Sequence, residues 1–158
     1  MNNLFYSYFR LILLVLFMFC TEQFFAQTIY ITKLNDLNFG DVFIGYTKDI
    51  PHTDINSAKF KFYHTAFGRK TIYISFTLPS NLSNGIDQIP ITFDQNHTAW
   101  SIKDQVSGRK NFNPFSRYKI KNVRSYRNYY IWLGGMLSAT PGVSYGLYEG
   151  TIILTVEM

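Results

Sequence analysis

Hydrophobic positions between residues 28 and 158 alternate with polar ones in short runs. No stretch keeps the three-to-four-residue spacing of an amphipathic helix. In KFKFYHT, 59–65, Phe60 and Phe62 fall on one face and Lys59, Lys61 and Tyr63 on the other. KTIYISFTLP, 70–79, sets Ile72, Ile74, Phe76 and Leu78 against Thr71, Tyr73, Ser75 and Thr77. Pro79 ends that run, because proline cannot donate to a strand ladder. TIYITK (28–33), LNFGDVFIG (37–45), QIPITFD (88–94), AWSIK (99–103) and the basic SRYKIKNVRSY (116–126) read as further strands. YYIWLGGMLSA (129–139) reads as one long apolar strand with Gly134 and Gly135 in its middle, where glycine marks a bulge or a close backbone approach. The run 148–158 alternates Ile152, Leu154 and Val156 with Thr151, Ile153 and Thr155. It is expected to be a buried strand paired on both sides, so that truncation there unfolds the domain. SNLSNG, after Pro79, reads as a turn-rich loop, and DQVSGRKNFNPFS (104–116) as a long loop over one end. The pattern predicts an all-β, two-sheet antiparallel sandwich of about 7–9 strands.

Composition agrees with half-buried strands. Aromatic residues make up 18% of the chain, and charged residues only 16%, against about 25% in an ordinary globular protein. The N-terminus has a different character. MNNLFYSYFR carries Arg10 and no acid, and LILLVLFMFC (11–20) is continuously apolar. That run is shorter than the roughly 20 residues a membrane span needs. Residues 1–26 therefore read as a signal peptide cut after Ala26, leaving 27–158 as one β-sandwich domain, secreted, periplasmic or on the cell surface. Cys20 is the only cysteine, so the processed chain can form no disulfide and no thiolate metal site. A lipid-anchored Cys20 is the alternative, but Phe17 and Phe19 stand where such a motif wants Leu-like and small residues.

The order of several short motifs carries a resemblance. LNFGDV (37–42), with Phe39 and Gly40, comes first, followed by the strand–turn–strand stretch 57–82. LGGMLSA (133–139), with Gly134 and Gly135, and GLYEGTIILTVEM (146–158), with Tyr148 and Gly150, close the chain. This arrangement resembles a bacterial secreted domain family related to spore coat protein U and the chaperone–usher pilins. Residues 95–127 take no part in the likeness. The resemblance implies an immunoglobulin-like or pilin-like sandwich and a structural or adhesive surface subunit rather than an enzyme. It also implies self-association or association with other surface subunits. Pilin-like members complete their sheet with a strand from a neighbour, and QTIYITK (27–33) is either such a donor or this domain's own first strand. The spore-coat-like members often carry a disulfide, which this chain lacks.

Candidate chemistry is sparse. His52, His64 and His97 have no ligand spacing among them, and no metal or cofactor is expected. His64 continues the inward pattern of Phe60 and Phe62, whereas His52 and His97 are expected as solvated loop residues. Most acids flank turns, where Asp bonds backbone amides. No nucleophile elbow, phosphate loop or dinucleotide fingerprint is present. The one charge asymmetry is the acid-free stretch 109–130, in which Arg109, Lys110, Arg117, Lys119, Lys121, Arg124 and Arg127 are interleaved with aromatic residues. Together with Tyr118, these form a candidate surface for an anionic polysaccharide or other polyanion. No specific nucleic acid is expected, and membrane contact only through the cleaved leader. The competing reading makes Lys119 and Lys121 the wet face of an edge strand, charged to prevent sheet-to-sheet aggregation. The net charge of +5 favours adhesion to anionic surfaces.

Overall fold

The computed structural model describes residues 27–158, and the signal-peptide reading of residues 1–26, Cys20 included, lies outside them. The described chain is all-β and sandwich-like. Its twelve strands are β1 (Ile29–Asn35), β2 (Thr47–Ile50), β3 (Ala58–His64), β4 (Arg69–Thr77), β5 (Asn81–Ser83), β6 (Gln88–Thr92), β7 (Thr98–Ser101), β8 (Lys110–Asn111), β9 (Tyr118–Arg124), β10 (Tyr129–Leu133), β11 (Gly135–Ser138) and β12 (Ile153–Glu157). They form a five-stranded sheet ordered β1-β3-β10-β7-β8, a four-stranded sheet β2-β11-β6-β5, and a three-stranded sheet β12-β4-β9. Every strand pairing among the described residues is antiparallel.

Alternation places the core as the sequence predicts. In β3 the residues Ala58, Phe60, Phe62 and His64 are buried, while Lys59, Lys61 and Tyr63 between them are half-buried on the outer face. In β4, Ile72 and Ile74 are fully buried. The five- and three-stranded sheets meet through aromatic side chains. Phe60 lies 6.3 Å from Phe76, Phe76 lies 6.4 Å from Phe112, and Phe112 stacks on Tyr118 at 4.6 Å. Polar links cross between the same sheets. Trp100 Nε1 donates to Tyr118 Oη at 3.2 Å, and the Arg124 amide donates to Tyr129 Oη at 3.0 Å. His64 sits fully buried, with Nε2 3.1 Å from the Val123 carbonyl and no partner at Nδ1. Because a carbonyl only accepts, that contact assigns the proton to Nε2.

The sequence-predicted strand 129–139 is interrupted at Gly134 and serves two sheets. Residues 129–133 pair with β3 and β7, and residues 135–138 with β2 and β6. At the transfer point a Cβ on Gly134 would collide with the Ile50 carbonyl, so only glycine lets the two backbones approach this closely. The Gly134 amide donates to the His97 carbonyl at 2.7 Å, which fixes the crossing.

Several expectations are corrected. Among the described residues there are three sheets and twelve strands, because short pieces at 81–83 and 110–111 pair where loops were expected. LNFGDVFIG is not a strand: Leu37–Phe43 is irregular, and the strand comes later, at β2. The C-terminal strand begins only at Ile153, pairs with β4 alone, and is an edge with mostly exposed residues. It is therefore not sealed on both sides. Only Leu154 and Val156 turn toward the core, so the expected dependence of the whole domain on this strand loses its basis.

Gly134→Ala should destabilise the protein by about 3 kcal/mol or more, since backbone must move to admit the methyl group. Urea unfolding measures this, and a variant within about 0.5 kcal/mol of wild type would show that the crossing has slack.

Candidate functional site

A groove of about 1240 Å³ lies over the inner face of the four-stranded sheet. Its floor is apolar: Ile89 and Ile91 from β6, Leu137 from β11, Leu82 from β5, and Phe60 from β3. One bank is the irregular segment 36–44 and the other the segment 143–152. Neither bank forms a ladder with a neighbour. The first is tied by Asn38 N–H to the Asn56 carbonyl at 3.0 Å. At its end, Gly45 and Tyr46 exchange bonds with Ala139 and prolong the β2–β11 ladder by one step. The second bank is tied by a single bridge between Glu149 and Ser83, with both amides at 2.9 Å.

Asp87 holds the second bank from below. Its carboxylate accepts from the Ser144 hydroxyl at 2.5 Å and the Ser144 amide at 2.8 Å. The Ser144 hydroxyl and amide hold this carboxyl below its ordinary value, because they bond the charged form. Tyr148 closes a local loop, its hydroxyl donating to the Ser144 carbonyl at 2.8 Å. Gly150 presses on Leu82 and Pro79, where a Cβ would lie 2.7 Å and 3.2 Å from their side chains. On the opposite bank Phe39 is buried, and Gly40, at φ 57°, turns the chain while its amide bonds Asn38 Oδ1 at 2.8 Å. Four of the resemblance residues thus shape the groove banks: Phe39, Gly40, Tyr148 and Gly150. Gly134 and Gly135 shape the crossing between sheets instead, with Gly135 against the Phe93 ring.

The groove mouth exposes large apolar side chains. Phe43 is 74% exposed, Leu147 77% and Tyr145 95%. Phe43 belongs to one bank, and Tyr145 and Leu147 to the other.

The basic stretch does not form one surface. Arg109 stacks on Trp132 at 3.7 Å and donates to the Gln105 and His52 carbonyls, which pins it at the β8 edge of the five-stranded sheet. Lys110 lies 5.5 Å above Trp100 on the same sheet. Arg117 and Lys119 lie on the outer face of the three-stranded sheet, both over the Tyr73 ring, and Arg117 is paired with Glu157 at 2.7 Å. Lys121 and Arg124 follow along β9, and Arg127 lies in the β9–β10 turn. Tyr118 points the other way, into the Phe112 stack and toward Trp100. β9 is an edge strand with an irregular register near its end, as the competing reading of Lys119 and Lys121 requires.

Two histidines differ from their expected solvated state. His97 is buried between carboxylates, with Nε2 2.8 Å from Asp49 and Nδ1 2.8 Å from Asp94. The acids lie on opposite sides of the ring, where Nδ1 accepts from the Asp94 amide at 3.2 Å, and they do not converge on a common point; among the described residues no cluster could hold a metal ion. His52 is buried beside Arg109, with Nδ1 3.3 Å from the guanidinium. Burial, and then the Arg109 charge, lower its pKa below the ordinary 6.5. Burial likewise lowers Arg109, against the pull of Asp104. No local pattern marks these contacts, because Asp49 and His97 are 48 residues apart and His52 and Arg109 are 57 apart.

No family model, no curated protein and no solved structure matches this chain.

The depressed His52 pKa has a definite sign. An unfolded chain binds a proton near pH 6.5 more readily than the folded one, so the stabilisation is complete above that pH and is lost as pH falls toward the folded value. Thermal melts at about pH 7.5 and about pH 5.5 should show a smaller acid-induced drop in Tm for His52→Gln than for wild type. Equal drops would remove His52 as a contributor.

Proposed function

We propose that the protein is an exported, non-catalytic structural or adhesive surface subunit. On this reading it is a pilin-like or coat-like sandwich whose groove takes an extended segment from another copy of the chain. The observation that carries the reading is the groove itself. Two apolar-rich segments, 36–44 and 143–152, flank an apolar floor, and between them they hold only the one bridge from Glu149 to Ser83. An added strand would supply hydrogen bonds to such backbone and cover the exposed rim. A second support is β1, an edge strand with six of its seven residues exposed, Ile31 among them. Little of its surface would be lost from the core if it were exchanged between copies. The leader-like sequence 1–26 supports export.

The alternative, a glycan- or polyanion-binding module built on 109–130, draws less support. Its cations are split between two sheets, and Arg109 and Arg117 already have partners.

Chromatography with light scattering, on the chain lacking residues 1–26, tests the assembly. Self-association should rise over a range of about 1 to about 300 µM. Phe43→Ser with Leu147→Ser should shift the protein to monomer while leaving Tm within about 3 °C, since both side chains are exposed. A wild-type protein that stays monomeric throughout removes the self-assembly reading.

A further inference from the structure

One pole of the sandwich, remote from the groove in the strand register, carries exposed aromatic rings among unpaired arginines. The β3–β4 turn, 65–68, and the β9–β10 turn, 125–128, lie side by side there. Arg69 is the direct cross-strand neighbour of Arg124, and the Tyr126 amide donates to the His64 carbonyl at 2.9 Å. Phe67, at the tip of the first turn, is 96% exposed, and Tyr126 is 75% exposed. Tyr126 has φ 55°, a conformation few side chains adopt, and its amide bond holds it there with the ring outward. Arg69, Arg124 and Arg127 are exposed, and none has an acidic partner among the described residues. The strands and turns that build this pole, 58–78 and 117–133, contain no acidic residue at all. Like charges directly opposite on neighbouring strands are unfavourable without a counter-charge.

The described chain also begins at this pole. Thr65 N–H donates to the Thr28 carbonyl at 3.1 Å, and Ile29 pairs with His64.

We propose that this pole is an interfacial surface that rests on an anionic lipid layer. Phe67 and Tyr126 enter the boundary between headgroups and acyl chains, and Arg69, Arg124 and Arg127 meet the phosphates. Lipid is favoured over a soluble polyanion because a polyanion would neutralise the arginines but leave the Phe67 ring in water. A lipid interface accepts both groups at the same depth. The surface is independent of the groove, so it holds whether or not copies assemble.

The test uses the chain lacking residues 1–26 and vesicles of phosphatidylcholine alone or with about a third phosphatidylglycerol. Binding should be tighter to the anionic vesicles. Arg69→Glu, Arg124→Glu and Arg127→Glu together should weaken it on the order of 100-fold, because each basic residue near such a surface contributes about a factor of five or more. A control with the same charge change elsewhere, Lys48→Glu, Lys110→Glu and Lys119→Glu, should weaken it less than about 10-fold. Phe67→Trp should show an emission blue shift on anionic vesicles, which reports burial of that ring. The proposal is overturned by equal losses in the two triple variants, by binding indifferent to vesicle charge, or by an unshifted spectrum at position 67. It is equally overturned if heparin binds through the three arginines while the vesicles do not.

Discussion

The architecture depends on the contact between the backbone at Gly134 and the carbonyl of Ile50. One run of chain, Tyr129 to Ser138, must serve as a central strand in two differently oriented sheets, and it can do so only where no side chain separates it from β2. Everything above that point belongs to the aromatic interior between the five- and three-stranded sheets. Everything below it belongs to the smaller sheet whose inner face floors the groove. The bond from the Gly134 amide to the His97 carbonyl ties the same point to the start of β7, so the turn that holds His97 between Asp49 and Asp94 is anchored there as well.

Period-two alternation revealed burial faithfully and pairing less so. The patterns of 59–65 and 70–78 place Phe62, Ile72 and Ile74 where the sequence says they should be. The run 37–45 is rich in apolar residues and reads as a strand, and Phe39 is buried, yet the backbone around it joins no sheet. Alternation records which side chains meet apolar neighbours; it does not record whether each amide finds a carbonyl on the next strand. The same gap explains 148–152, which is patterned like a strand but carries only the Glu149–Ser83 bridge. The break of 129–139 into two strands was visible as a glycine pair, though its consequence, a change of sheet, depends on β2 lying against it. The basic stretch was visible as composition, but its division between two sheets follows from strand order, which no local pattern encodes.

The charged side chains do different work according to where the sheets end. On β9, Lys119 and Lys121 line an edge and discourage further pairing. Arg109 and Lys59 instead lie over Trp132, covering a large ring on the outer face of the five-stranded sheet; Lys59 is also paired with Asp104 at 2.5 Å. The first set keeps a surface open and wet, whereas the second closes one.

Both tryptophans of the chain belong to neighbouring strands of one sheet, Trp100 on β7 and Trp132 on β10. Trp132 lies under Arg109 and Lys59, and Trp100 is bonded to Tyr118 of the opposing sheet. Native indole emission is thus an optical gauge of how the two main sheets are clasped together. Neither indole lines the groove, so a spectroscopist following an event there would need a dye placed on 143–152.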